Sequence, residues 1–468
     1  MTKFFLLAFG LVSLVSLAQN VIVEVPNNDL AVYIGYESNL CYSYLSKDNK
    51  YEFSTYSDQG VKNTLLEENS LYSILLSKSE KTILTFDTSN NFKALPIYFN
   101  DGKTIKSVKS DLYASIDILD KKINFNSNNE YLLVNKKDSK EINLLKDELY
   151  LKIRDFRKNI TTKKLIKKFD LNRYVGENFI NTKENLGCKL FLNFDESTDI
   201  ISKSISKDYK NIIIYKDKVT DNGEILGSIK FDLQLPKDLV FLYSRNEAGH
   251  YKTGGYDHKF LHFADDLHIN NFIQDNSNGD IYFYGIYGNE SKTLNATINT
   301  INPKGFYIYK FDKSGTKIWE SINPITETNF SKSKVPVTIF NNLFELDNNL
   351  CFTIQINELG DFYYFNLIDK SNGQSIKSKN LDKSSNFNLL KGDYDIYSKF
   401  NTLSFLKHKE FVFNSIIASN LYPKYAKYIK NLSLNKKVTF TTYFSKKGIW
   451  LVESEEKKYR KVLYFNYE

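Results

Sequence analysis

The chain has 468 residues, with 63 Lys and Arg against 55 Asp and Glu. The resulting charge of +8 is small for this length and scattered along it, which argues against a dedicated nucleic-acid binder. Aromatic residues make up 15%, with 33 Tyr and 35 Phe beside one Met and 7 Pro, a composition suited to pleated, half-buried strands more than to helices.

The first element is a leader. Met1-Thr2-Lys3 is a short positive start, Phe4 to Leu17 is apolar apart from Gly10 and small serines, and Ser16-Leu17-Ala18 places small residues where a signal peptidase reads. Those fourteen apolar positions span only ~21 Å against a hydrocarbon core of ~30 Å, so residues 1–18 are expected to be a cleavable signal peptide rather than an anchor. The mature chain would begin at Gln19, with no cysteine there for a lipid. The remaining body, 19–468, is expected in the periplasm, at the cell surface or secreted, with no further transmembrane span. At about 450 residues it is long enough for one large repeat-built fold.

Along that body the pattern is strand, polar turn, strand. LTFDTSNNFKAL from Leu84, YLLVNKKDSKEINLL from Tyr131, LFLNFDESTDII from Leu190, KFLHFADDLHINNF from Lys259, YIYKFDKSGTKIWE from Tyr307, YYFNLIDKSNGQSI from Tyr363 and TTYFSKKGIWLVE from Thr441 are hairpin signals. In each, aromatic and branched residues alternate up to a turn of Asp, Ser, Asn, Lys or Gly. Successive turn acids Asp87, Asp138, Asp195, Asp265, Asp312 and Asp369 stand 51, 57, 70, 47 and 57 residues apart. That period fits a four-stranded unit with loops, so the expectation is an all-β, β-propeller-like repeat architecture of about six to eight blades.

Residues 146–173 break this rhythm. Leu149, Ile153, Phe156 and Ile160 recur at helical spacing, and the stretch from Tyr150 to Arg173 carries nine basic residues against two acidic ones. A short helical insertion is predicted here. Its lysines are read as a solvated face, with a peripheral anionic surface at 150–173 as the functional reading.

The clearest unit runs from Lys259 to Trp319. A turn at Asp275-Asn276-Ser277-Asn278-Gly279-Asp280 leads into IYFYGIYG, and YIYKFDKSGTKIWE follows. Over Asn278 to Gly285 and Phe306 to Trp319 the sequence resembles secreted bacterial β-propeller repeats. It is also distantly similar to the tryptophan-docking repeat of quinoprotein propellers. That resemblance implies a blade-bracing role for Asp312, Gly315 and Trp319. The spacing Asp312 to Gly315 is one residue short of the quinoprotein pattern. Asp369 to Gly373 has the right spacing but carries Lys377 where Trp is expected. On this footing Trp319 is expected to be mostly buried.

His250, His258, His262 and His268 fall within nineteen residues. On a helix His258 and His262 would share a face and suit a metal, with His268 nearby. On the strand read here they would stand ~13 Å apart, too far for one ion, so no metal site is predicted. Cys41, Cys188 and Cys351 can form at most one disulfide and are read as buried, reduced side chains. The turn Asp275–Asp280 lacks the closing glutamate of a calcium loop and is read as a reverse turn. No nucleophile elbow, zinc-helix motif, phosphate loop or dinucleotide fingerprint is present, so no catalytic or cofactor residue is assigned. The functional expectation is an exported, non-enzymatic binding or scaffolding protein of the envelope or exterior, with an envelope protein or glycan as partner. The alternative is a propeller-based enzyme acting on glycans as hydrolase or lyase, or a degenerate quinoprotein.

Overall fold

The fold is described from a computed structural model. It covers residues 19–467 except 27–29, 35–39, 46–50, 58–59, 66–71, 77–82, 88–96, 101–103, 106–137, 146–147, 156–159, 168–187, 194–196, 206–209, 243–248, 254–255, 261–271, 276, 292–299, 327–329, 331–338, 357–361, 381–414, 433 and 436. At some strand positions, Cys41 and His258 among them, only the backbone is described.

Period-two patterning makes the strands. In Asn211–Val219 the buried Ile212, Ile214 and Lys216 alternate with half-exposed Ile213 and Tyr215. The described strands form eight antiparallel sheets: seven of three to five strands, and a two-stranded hairpin, Gly249–Thr253 with Tyr256–Phe260, in the connection between the two short strands of sheet 5. Sheet 1 is Leu30–Ile34, Leu40–Leu45, Tyr51–Ser57 and Gly60–Leu65. Sheet 2 is Tyr72–Leu76, Ile83–Asp87, Ile97–Asn100 and Thr104–Ile105. Sheet 3 holds Asp138–Leu145, Glu148–Asp155 and Ile160–Leu165. Sheet 4 is Cys188–Leu192, Thr198–Ile205, Asn211–Val219 and Ile225–Gln234. In sheet 5 the short strands Val240–Leu242 and Phe272–Gln274 both pair with Ile281–Ser291, and Thr300–Phe311 and Lys317–Pro324 follow. Sheet 6 is Ile339–Leu346, Asn349–Ile356, Phe362–Asp369 and Ser375–Asn380.

Sheet 7 takes Val438–Phe444, Gly448–Glu455 and Tyr459–Asn466 from the end of the chain and its fourth strand, Gln19–Pro26, from the beginning. Gln19 pairs with Phe465 and Pro26 with Tyr459. The two ends of the body are thereby tied into one sheet.

Core clusters run from sheet to sheet. Sheets 3 and 4 share Leu151, Ile153, Cys188 and Ile200, and sheets 4 and 5 share Phe231, Phe272, Phe283 and Tyr309. Sheets 5 and 6 share Tyr284, Phe306, Phe352 and Ile354, with Phe306 and Phe352 stacked at 4.2 Å. Sheets 6 and 7 share Cys351, Phe365, Leu451 and Phe465. Val25, Trp450 and Val462 of sheet 7 then pack on Leu30, Leu40 and Tyr42 of sheet 1. Sheets of three to five antiparallel strands, packed in succession from sheet 3 to sheet 7 and on to sheet 1, define an all-β, propeller-like architecture, and the seven larger sheets lie within the predicted six to eight.

The helical insertion expected at 146–173 is not formed in its described part. Glu148–Asp155 and Ile160–Leu165 are paired strands, with Ile153 opposite Thr162. Leu149 and Ile153 satisfy a four-residue spacing, but Leu151 between them is also fully buried, and only a period of two buries all three. Ile160, read as part of the apolar face, is 51% exposed. Helix forms instead at 415–421 and Pro423–Leu432, between sheets 6 and 7.

Candidate functional site

Three features of the surface and the sheet junctions bear on function. They are a row of turns that brace neighbouring sheets, a buried ion cluster where sheets 5, 6 and 7 meet, and an exposed basic ledge on the helical segment.

The bracing turns are built locally. Asp312 Oδ1 accepts from the Ser314 backbone N–H at 2.8 Å, the Ser314 hydroxyl at 2.6 Å and the Thr316 N–H at 2.9 Å. These hydrogen bonds hold its carboxyl below the usual range. Asp369 binds the Ser371 N–H and hydroxyl in the same way at 2.7 and 2.6 Å and is lowered for the same reason. Each turn closes through a glycine of positive φ, Gly315 at 92° and Gly373 at 76°, where a side chain would be strained. Each glycine also presses on the preceding sheet. A Cβ on Gly315 would lie 2.5 Å from the Lys230 carbonyl, and one on Gly373 would lie 2.6 Å from the Trp319 ring. Gly223, in the Thr220–Glu224 turn, sits equally close to Leu165 of sheet 3; Asp221-Asn222-Gly223 is a turn signal in the sequence, but nothing local to it indicates that contact.

Trp319 therefore lies between sheets 5 and 6. Its Nε1–H donates to the Lys370 carbonyl at 3.3 Å, and its ring meets Tyr282 at 5.9 Å. It is half-buried rather than mostly buried, because Lys317–Pro324 is the edge strand of its sheet. Ser321 on the same strand donates to the Gly373 carbonyl at 2.6 Å.

The ion cluster begins at Asp275, on the turn after Phe272–Gln274. Its Oδ1 accepts from the Ser277 N–H at 2.8 Å, Gly279 N–H bonds back to the Asp275 carbonyl, and Gly279 has φ 83°, so the segment is a reverse turn. Asp275 Oδ2 pairs with Lys370 Nζ at 2.5 Å, and Oδ1 lies 3.5 Å from Lys446 Nζ. Lys370 also pairs with Glu345, whose side chain is fully buried and whose Oε2 has no hydrogen-bond partner among the described residues. Burial alone would push the Asp275 carboxyl up, but hydrogen bonds from Lys370 and Ser277 override it and hold the group well below the usual carboxylate range. Burial likewise opposes charge on Lys370, and the field of Glu345 with the bonds to both acids raises it instead. Both groups stay charged across the neutral range, so neither is poised to exchange a proton. A similar knot joins sheets 4 and 5, where Lys216 Nζ meets Asp199 at 3.1 Å, Asn193 at 2.8 Å and Gln274 at 3.2 Å. In sheet 7 the buried Glu453 accepts from Tyr428 and Tyr459, both at 2.5 Å, and pairs with Lys461 at 2.9 Å.

The basic ledge follows from helix geometry. Tyr422 N–H bonds to the Ala418 carbonyl and Ala426 N–H to the Tyr422 carbonyl, so helical bonding continues across the break before Pro423. Ala418, Tyr425 and Ile429 are buried, while Lys424, Lys427 and Asn431 are exposed in line with Asn420. From the adjacent strand of sheet 6, Lys377 Nζ donates to the Asn420 carbonyl at 3.2 Å and Lys379 Nζ to Asn420 Oδ1 at 2.7 Å. The sequence reading took the positive charge to be scattered. Residues 375–380 and 415–437 in fact hold seven lysines and no carboxylate. These two segments thus match seven of the eight excess positive charges.

Of the histidine candidates, His258 lies in strand Tyr256–Phe260, paired with Tyr251, and its side chain is outside the described residues, as are His262 and His268 altogether. Among the described residues no group of three or more His, Cys, Asp or Glu is arranged to hold a metal. Cys188 and Cys351 are free and buried, their thiols pushed up by desolvation. No helix is long and apolar enough to cross a membrane among the described residues. The described part of the basic tract expected at 150–173 runs along strands of sheet 3, where Lys163, Lys164 and Lys167 are exposed.

The class these observations define is a propeller-like protein of repeated antiparallel sheets. No protein-family model matches the chain, and no curated protein matches it significantly. Solved β-propeller structures share the pattern at low similarity. The polysaccharide lyase Uly1 is 9% identical with a TM-score of 0.30, covering 96% of this chain and 91% of that one. The Nup133 β-propeller domain of Vanderwaltozyma polyspora is 7% identical with a TM-score of 0.27, covering 96% and 100%. A quinoprotein alcohol dehydrogenase-like protein of Bacteroides thetaiotaomicron is 10% identical with a TM-score of 0.30, covering 76% and 67%. Similarity at this level assigns no activity, and the propeller-like architecture rests on the sheets themselves.

Proposed function

We propose that this chain is an exported, non-enzymatic binding or scaffolding protein of the cell envelope or exterior. The observation that carries this reading is the basic ledge, a run of exposed lysines on Ser375–Asn380 and Pro423–Leu432 with no carboxylate in either segment. The buried charges support it from the other side. Asp275, Glu345, Lys370 and Lys446 are committed to one another, and the thiols of Cys188 and Cys351 are held protonated by burial, so these groups brace sheets instead of attacking a substrate. The address rests on the leader pattern at 1–18, whose cleavage would leave Gln19 as the mature terminus.

The test is made in the native host. Protein whose mass begins at Gln19 is expected to sediment with the envelope fraction at low ionic strength and to be released by salt. Intact Met1 would overturn the export reading, and a fully soluble protein at low salt would overturn the binding role. Depolymerisation of an acidic or neutral glycan by purified protein would move the assignment to a propeller-based hydrolase or lyase.

A further inference from the structure

We infer that the ledge formed by Lys377, Lys379, Asn420, Lys424 and Lys427 docks on an anionic lipid surface, with Leu434 entering its boundary. This rests on the binding role proposed above and names the partner for that role.

Charge complementarity comes first. Residues 375–380 and 415–437 hold seven lysines and no carboxylate, so a negatively charged plane meets a local concentration of positive charge on a nearly balanced body. The relevant lysines are placed to act together. On one helix face Lys424 and Lys427 are three residues apart, a separation of ~5 Å that lies within the Debye length of about 8 Å at physiological salt. Lys377 and Lys379 meet the same face at Asn420, bonded there only to neutral oxygens, so their charges are not cancelled at the contact.

Lipid is favoured over an acidic glycan by Leu434. Three residues past Asn431, it is 82% exposed, the most exposed large apolar side chain among the described residues. A hydroxyl-rich sugar chain offers such a side chain little, whereas the boundary between headgroups and acyl chains takes it directly. The helix cannot itself sink into the bilayer, because Tyr425 and Ile429 are buried in the core shared by sheets 6 and 7. The contact is therefore peripheral and electrostatic, and salt should reverse it.

The experiment uses full-length mature protein and sedimented vesicles of phosphatidylcholine with and without phosphatidylglycerol. Binding is expected only with the anionic lipid, and it should fall steeply between low and physiological salt. Each lysine near such a surface is worth about fivefold in partitioning, so Lys424→Gln with Lys427→Gln should weaken it about 25-fold. Leu434→Ser should weaken it further, and both variants should melt like the parent because the substituted side chains are exposed. Equal binding to neutral and anionic vesicles, or anionic binding unaffected by the double variant, would overturn the inference. Binding to soluble polygalacturonate with none to vesicles would overturn the lipid assignment and leave the broader binding role standing. Loss of envelope sedimentation altogether in the host would instead remove that broader role.

Discussion

Lys370 joins two buried carboxylates. It neutralises Asp275 on one side and Glu345 on the other, and Glu345 already carries one oxygen without a partner. Replacing it by methionine would keep much of the volume but leave two buried carboxylates poorly compensated, and Lys370→Met is expected to cost ~3 to 5 kcal/mol in denaturant unfolding. A loss below about 1 kcal/mol would show that the cluster does not brace the sheets. The same cluster fixes a pH dependence. Asp275 is depressed in the folded state, so its contribution is present above about pH 4, the unfolded carboxylate value, and is lost as pH falls through the folded value. Lys370 is raised, so its contribution is present below about pH 10.4 and is lost as pH rises through the folded value. Melting temperature should form a plateau between these limits, and Asp275→Asn should flatten the acid limb while lowering the plateau. None of this was visible in the sequence. Asp275 stands out there as a turn residue, but its partner at position 370 is 95 residues away, and nothing local pairs them.

At the scale of elements, the turns were the most legible feature. Asp-x-Ser followed by glycine announces both the hydrogen-bonded Asp side chain and the positive φ, and the hairpins at Asp312 and Asp369 form where that chemistry places them. What a turn touches is a different matter. Gly373 of sheet 6 lies on Trp319 of sheet 5, so the tryptophan acts across a junction, with one ring face covered and the rest at an edge. Gly373→Ala should cost at least about 1 to 2 kcal/mol from the left-handed conformation alone, with the clash against the indole in addition. Trp319→Ala should cost about 2 to 3 kcal/mol, below the ~3 to 5 of a fully buried tryptophan. If the two substitutions together cost their simple sum, measured by a double-mutant cycle, the contact between them carries no energy of its own. The misread segment at 146–173 belongs to this scale as well. A spacing of four is common to both periods whenever every second residue is apolar, and sheet pairing with Ile160–Leu165 decided for the strand.

For the whole molecule, the decisive joint is the sheet made from both ends of the body. Gln19–Pro26 pairs along Tyr459–Phe465, and Val25 packs with Trp450 and Val462 against Leu30 and Leu40 of sheet 1. Deleting residues 19–26 exposes an unpaired strand edge and part of that cluster, and the shortened protein is expected to lose a single cooperative thermal transition or to aggregate, as followed by calorimetry and light scattering. A sharp transition at the parental temperature would show that the closure is dispensable.

The sequence by itself determined the leader pattern, the preponderance of strand and the turn chemistry at Asp312 and Asp369, because each depends on residues within a few positions of one another; the expected turn at Asp138 is instead the first residue of strand Asp138–Leu145, and Asp195 and Asp265 lie outside the described residues. The tertiary structure alone decided that sheet 7 borrows its fourth strand from residues 19–26, that acids and lysines from sheets 5, 6 and 7 neutralise each other, and that Lys377 and Lys379 meet the helical segment of Lys424 and Lys427 at Asn420. Those pairings are set by packing between segments tens to hundreds of residues apart, where hydrophobic burial is indifferent to sequence distance and local propensity is silent.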